Sequence, residues 1–391
     1  MREQRQLDRI LKILDEYNGE IPLQHFLRNY FRKHQEMGST DRRVTAQFIY
    51  NYFRTGNSLK EVKREERLAL SSFLVNTVNT PLLDISLKKC TKLLDADVMM
   101  PLELKVLVIK KYYPAFLPED IFPFAAFAGG LLDLSAFKYA ILQQPYLWLR
   151  IRKLYKDKII GALEKQGIAF VIENNSIGIK HTIDLKKVQS LESDWFEIQD
   201  WSSQQTGNYF KPQAGENWFD CCAASGGKSL LLHSLQPNIR LTVSDNRESS
   251  LNNLKVRFQQ NKLTAYSVVK CDLSDALPIE LSQQHFDGII ADVPCTGSGT
   301  WARSPEQLTF FDIHQLKNYT DKQRSILRQI IPTLKKGKPL IYITCSVFKE
   351  ENEDLTAWLT EKYDFELELS TYLEGATFHA DTMYLARLIK K

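Results

Sequence analysis

At 391 residues and 45.3 kDa the chain is long for a single core, so two or three domains are expected. Hydrophobic residues at 43% and charged residues at 25% exclude a largely disordered chain, and six cysteines with no CxxC pair exclude a disulfide framework or a structural zinc site; no metal is called for. A net charge of +4 allows an acidic partner without requiring one.

The opening stretch MREQRQLDRILKILDEYNGE is charged throughout, has no signal-peptide pattern, and is followed by no membrane-length apolar run, so a cytoplasmic protein without a membrane partner is expected. From there to about Phe127 apolar residues recur three and four apart, as in LDRILKILDEY and AQFIYNYFR, which predicts an all-helical bundle broken at Gly38-Ser39 and Gly56-Asn57-Ser58. The run PYLWLRIRK then alternates like a strand. A helix-like KDKIIGALEKQG and the strand-like IAFVIE and SIGIKH follow, giving a small α+β unit over 143–205. Beyond Gly215 the runs WFDCC, IRLTVSD, YSVVKCD, FDGIIADVP and LIYITCS alternate with helical stretches. That pattern predicts an α/β, Rossmann-like parallel sheet with right-handed crossovers. FELELS and TMYLARLIKK are joined by a short connection, which predicts an antiparallel strand at the sheet edge.

The first strand of that sheet runs into FDCCAASGGKS. A Walker A loop would need glycine at position 222, and Cys222 stands there, with no convincing Walker B partner elsewhere. The alternative is a strand-to-helix turn in which Gly226 and Gly227 let a ligand approach the backbone and the helix N–H groups face it. That geometry asks for an acid at the end of the second strand to hold ribose hydroxyls, and Asp245 lies 18 residues past Gly227. Asp272, at the end of the third strand, is placed to reach an adenine amino group, although one such aspartate is also what caps a following helix. These acids suit an adenosine and do not separate NAD from S-adenosylmethionine.

The chemistry comes from the fourth and fifth strand ends, IIADVPCTGSGT and LIYITCSVFKEENED, where Asp292, Cys295 and Cys345 gather at the edge along which α/β sheets bind ligands. Cys90 and Cys271 read as small buried hydrophobes. A thiolate beside a methyl donor can add to C6 of a cytosine and make C5 nucleophilic, while a neighbouring carboxylate binds N3 and the exocyclic amine. Asp292 is placed for that second task.

Together these motifs resemble the RsmB/Nop/Sun family of S-adenosylmethionine-dependent RNA cytosine-C5 methyltransferases, over nearly the whole chain. The family's Cys-Ala-Ala-Pro-Gly-Gly-Lys turn corresponds to Cys222, Ala223, Ala224, Ser225, Gly226, Gly227 and Lys228, with serine in place of proline. The resemblance implies that Asp245, Asp272 and Asp292 continue the cofactor site, that Cys345 of Thr-Cys-Ser is the nucleophile, and that Cys295 of Pro-Cys assists product release. Gln199, Asp200, Ser203 and Gln204 match the family's Gln-Asp-x-x-Ser-Gln segment. An Arg-Arg-x-Pro-Asp loop is replaced by Trp301-Ala302-Arg303-Ser304-Pro305-Glu306. GSTDRRVTAQFIYNYFR resembles a NusB-like RNA-binding domain, taken as 1–135. QQPYLWLRIRK resembles an RRM-like subdomain over 143–205, with Arg150, Arg152 and Lys153 toward phosphate, and 206–391 is the methyltransferase domain. The implied enzyme is a monomer acting on rRNA, with tRNA as the alternative substrate. A nicotinamide-dependent oxidoreductase and a non-catalytic RNA-binding protein are the other readings: the first would bind NAD, the second RNA without methyl transfer.

Overall fold

The computed structural model describes residues 2–90, 93, 97–180 and 183–391. His181, the last residue of the SIGIKH run, lies outside the described residues, as does Met1 at the head of the first helical pattern. The chain divides into two compact units, one of residues 1–126, 134–144 and 300–312, the other of 127–133, 145–299 and 313–391.

The first unit is helical: α1 (Arg2–Glu16), α2 (Leu23–Lys33), α3 (Ser39–Phe53), α4 (Arg64–Val75), α5 (Pro81–Leu87), α6 (Leu102–Tyr112) and α7 (Leu134–Ile141). On α1 the buried residues Leu7, Ile10, Ile13 and Leu14 recur at helical spacing, so one stripe enters the core while Asp8 and Lys12 between them stay exposed. Helix α5 starts where Thr80 accepts a hydrogen bond from the Leu83 N–H, with Pro81 in the first turn, where a missing N–H costs nothing. The 300–312 segment packs in this unit: Trp301 lies against Phe122 and Phe124, and the Glu306 carboxylate accepts from the Leu23 N–H that opens α2. Arg54, fully buried, is held by the carbonyls of Ile141 and Gln143 and the side chain of Gln144.

The second unit carries two sheets. The small one has β1 (Leu147–Ile151), β2 (Phe170–Glu173), β3 (Ser176–Ile179) and β4 (Phe196–Ile198) in antiparallel order β2-β3-β1-β4. Helix α8 (Lys156–Glu164) buries Ile159, Ala162 and Leu163 in the same core. After a short α9 (Trp201–Gln205) the large sheet begins. Its strands are β5 (Asn217–Asp220), β6 (Arg240–Asp245), β7 (Tyr266–Lys270), β8 (Gly288–Asp292), β9 (Pro339–Thr344), β10 (Phe365–Glu374) and β11 (Thr382–Lys390), in the order β10-β11-β9-β8-β5-β6-β7. Strands β5 to β9 run parallel; the expected antiparallel strand is β11, which lies one place in from the edge, between β9 and the edge strand β10. Helix α10 (Gly227–Leu235) follows β5 and α11 (Glu248–Gln260) follows β6.

Strand β9 is buried at every position, as a strand with neighbours on both sides and cover on both faces must be. Each Leu or Ile so buried stabilises the fold by about 1.5–3 kcal/mol. Strand order reverses between β5 and β8, so the loops at their carboxyl ends part and leave the crevice where α/β sheets take ligands.

Candidate active site

The turn after β5 is built from backbone bonds and two left-handed residues. Ala223 N–H donates to Ser244 O at 2.9 Å, Ala224 N–H to an Asp245 carboxylate oxygen at 3.0 Å, and Gly226 N–H to Ala223 O at 2.7 Å. Ala224 has φ 47° and Gly226 φ 83°, and a Cβ at Gly226 would sit 2.6 Å from the Phe258 ring, so that position admits glycine alone. Gly227 is different: a Cβ there would meet nothing within 4 Å, and no side chain caps the first turn of α10. Open space above free helix N–H groups is what an approaching anionic or polar ligand needs. Cys222 through Lys228 thus form an open turn of the kind a polar or anionic ligand can approach.

Among the acids, Asp245 is nearly buried; one oxygen takes the Ala224 N–H and the other the Arg247 N–H at 2.9 Å. Asp272, just past β7, accepts from the Ser274 N–H at 2.9 Å and from the Asn246 amide at 3.3 Å. The backbone bond holds its carboxyl below the usual range, so it is ionised at neutral pH. Asp220, wholly buried under the turn, bonds Ser229 Oγ at 2.6 Å through one oxygen. Burial pushes its carboxyl up to about 7.

Lys228 turns back across the crevice. Its Nζ bonds Asp292 at 2.8 Å and Ser203 Oγ at 2.9 Å, so an almost fully buried ammonium has a carboxylate and a hydroxyl as partners. Ser203 in turn accepts from Gln199 at 3.1 Å, and Gln199 accepts from Arg150 Nε at 2.8 Å. The Gln-Asp-x-x-Ser-Gln segment therefore reaches the site through Gln199 and Ser203. Asp200 caps α9 through the Ser202 N–H at 2.9 Å, and Gln204 accepts from Ser176 at 2.6 Å. Arg150 and Arg152, expected to face phosphate, bond within the unit instead: Arg150 also reaches Ser234, and Arg152 reaches Asn261, because β1 turns both toward the helices of the large sheet. Lys153 is exposed.

At the ends of the adjacent strands β8 and β9 the two cysteines meet, Cys295 Sγ lying 3.4 Å from Cys345 Sγ, and both are partly exposed. The hydrogen bond with Cys345, burial of the sulfur, and nearby negative charge at Cys345 and Glu351 push the Cys295 thiol well above its ordinary range. It therefore keeps its proton at neutral pH. Gly299 N–H donates to Cys345 O at 2.9 Å, and a Cβ at Gly299 would fall 2.0 Å from Thr382 O, which explains a glycine there.

Three buried residues with no obvious signal in the sequence brace this corner. Glu351 accepts from Thr296 N–H at 2.9 Å, Thr296 Oγ1 at 2.6 Å and Gln323 Nε2 at 2.9 Å, and Gln323 also donates to Pro294 O at 3.0 Å. Asn352 accepts from Thr344 Oγ1 at 2.6 Å and donates to Ser346 O and Tyr372 Oη, both at 2.9 Å. In sequence, EENED reads as a solvated acidic run; only burial shows Glu351 and Asn352 to be internal.

Residues 208–389 match the family described as "16S rRNA methyltransferase RsmB/F". That segment contains the turn, the acids and both cysteines. Ribosomal RNA small subunit methyltransferase B of Proteus mirabilis is 27% identical over 255 residues, covering 64% of this chain and 60% of that protein. The protein of the same name from Escherichia coli (strain SMS-3-5 / SECEC) is 29% identical over 263 residues, 64% of this chain and 61% of its own. The chain thus spans about 60% of the length of the curated relatives it matches. Among solved structures, PH0851 superposes with a TM-score of 0.68 at 21% identity over 97% of this chain and 96% of its own. NSun6 from Pyrococcus horikoshii with SFG gives a TM-score of 0.56 at 15% identity over 63% of this chain and 91% of its own. At those identities the likeness is one of fold, in which residues 208–389 supply the large sheet. Among the described residues no helix is long and apolar enough to cross a membrane, and no group of histidine, cysteine and carboxylate side chains could hold a metal ion.

Proposed function

We propose that this protein is an S-adenosylmethionine-dependent RNA methyltransferase that modifies cytosine C5 in small-subunit ribosomal RNA. One observation carries the reading: two thiols 3.4 Å apart at adjacent strand ends, beside Asp292 and the open glycine turn. Folding by itself has no use for paired thiols and a lysine-clamped carboxylate at a crevice. An oxidoreductase of the same sheet would not need them either. The names of the relatives point to ribosomal RNA as the substrate.

The target cytidine enters unpaired, since C5 and C6 lie within the stack of a duplex. Asp292, oriented by Lys228, accepts from the exocyclic amine, and from N3 once N3 gains a proton as the adduct forms. Cys345 adds as a thiolate at C6, forming the S–C6 bond and moving an electron pair to C5. Residues 222–228 with Asp245 and Asp272 would hold S-adenosylmethionine, which would supply an electrophilic methyl group for C5 and leave as S-adenosylhomocysteine. Water or a neighbouring base then takes the C5 proton, the S–C6 bond breaks, and Cys345 leaves as thiolate. Cys295, protonated and 3.4 Å away, donates to that departing sulfur.

Replacing Cys345 with alanine is expected to abolish methyl transfer. Cys295→Ala is expected to accumulate an RNA–protein adduct that migrates slowly on a denaturing gel. Full activity in both variants would overturn the roles. Bisulfite sequencing of rRNA and tRNA from cells with and without the protein separates the two substrates.

A further inference from the structure

The turn that cradles the donor is held from outside by a residue that belongs to neither the turn nor its strand. Ser225 lies between Ala224 and Gly226, both in the left-handed region, which side chains on L residues avoid. A proline at 225 would lock its own φ, whereas serine leaves that torsion free. Arg257, on α11, grips this residue twice: one terminal nitrogen donates to Ser225 O at 2.8 Å and to Ser225 Oγ at 2.9 Å. The other edge of the same guanidinium donates to Glu197 on β4, at 2.5 Å through Nη2 and 3.2 Å through Nε. Glu197 is itself held by Asn261 at 2.5 Å, and Asn261 by Arg152 at 2.8 Å. The Arg257 and Glu197 side chains are only 22% and 13% exposed, so solvent screens the pair weakly. A planar fork serves both partners at once, which a lysine cannot do.

We propose that Arg257 is a positioning residue for the cofactor turn, clamping Ser225 and anchoring the turn to the small sheet through Glu197. The proposal rests on the reading above that this turn holds S-adenosylmethionine. The bonds of Arg257 run to Ser225 and Glu197 and not to the thiols. Its loss therefore weakens cofactor binding and leaves the chemical step alone.

Calorimetry with S-adenosylhomocysteine tests it, with thermal melting run in parallel. Wild type binds; in Arg257→Ala the dissociation constant rises about tenfold, the size expected for losing charge-assisted bonds. The cofactor KM follows, while kcat at saturating cofactor and the KM for RNA stay within about twofold of wild type. Arg257→Lys, which keeps the charge but not the fork, shows most of the loss. Adding Ser225→Pro to Arg257→Ala restores most of the affinity by stiffening the turn directly. Unchanged affinity in both Arg257→Ala and Arg257→Lys overturns the proposal, and so does a Ser225→Pro double variant as weak as Arg257→Ala. Should Arg257→Ala melt well below wild type, Arg257→Lys and the double variant decide between these outcomes. A wild type that binds no S-adenosylhomocysteine sinks the underlying reading, and the clamp with it.

Discussion

The two ends of the crevice are secured by different means. At the thiol end, Glu351, Asn352 and Gln323 are wholly buried and make short bonds to both cysteine-bearing loops, so the loop after β8 and the loop after β9 share one set of braces. At the cofactor end the turn relies on its own backbone, the Asp245 carboxylate and one arginine reaching in from α11. On the proposed mechanism the two sulfurs must be placed to within a fraction of an ångström, which favours buried groups with few alternative partners. A turn that admits and releases a ligand tolerates a more peripheral support, and with it a serine where the family pattern has proline.

Substitutions at the two ends should separate accordingly. The largest effect is expected from Glu351→Ala, which leaves the Thr296 and Gln323 donors without their acceptor at about 1–3 kcal/mol each. Methyl transfer should fall at least about tenfold at saturating cofactor, with a lowered melting midpoint and unchanged S-adenosylhomocysteine affinity. Glu351→Gln should recover part of it. A Glu351→Ala enzyme with normal kcat would break the contrast between the two ends. Asn352→Ala should do less, about 1–3 kcal/mol of stability, with a smaller fall in kcat, read by denaturant melts and single-turnover methylation.

The smallest effect on methyl transfer is expected at Asp220, under the glycine turn. Its folded carboxyl, raised to about 7, binds a proton that the unfolded chain has already lost near its ordinary value of 3.8, so the folded state holds more protons between those limits. Stability on this account is highest below about pH 4, falls as pH rises to about 7, and is level beyond. Asp220→Asn should flatten that slope, with a midpoint near wild type at pH 4 and above it at pH 8 in thermal melts. An unchanged slope would mean that Asp220 is ionised in the fold, and that the cofactor end too rests on a buried charge.

Much of this was legible before any coordinates. Strand-to-helix alternation after Gly215 announced the sheet, and the spacing from Gly227 to Asp245 placed an acid at the glycine turn, because both follow from short-range geometry. The cysteines were visible as candidates since each ends an apolar run beside small polar residues. Arg257 was not legible: in RESSLNNLKVRFQQNK it reads as one more solvated charge on an amphipathic helix. Arg150 and Arg152 misled in the opposite sense, reading as a basic strand edge although each bonds inside the unit.

Local order, the sheet's parallel character and the residue types at its carboxyl ends were determined by the sequence alone, because periodicity and turn chemistry act over a few residues. Only the tertiary structure decided which distant side chains become partners: Cys295 with Cys345, Lys228 with Asp292, Glu351 with Thr296, Arg257 with Ser225. The reason is that a polar group's role depends on whether folding removes it from water, and burial is a property of the assembled chain rather than of any stretch of it.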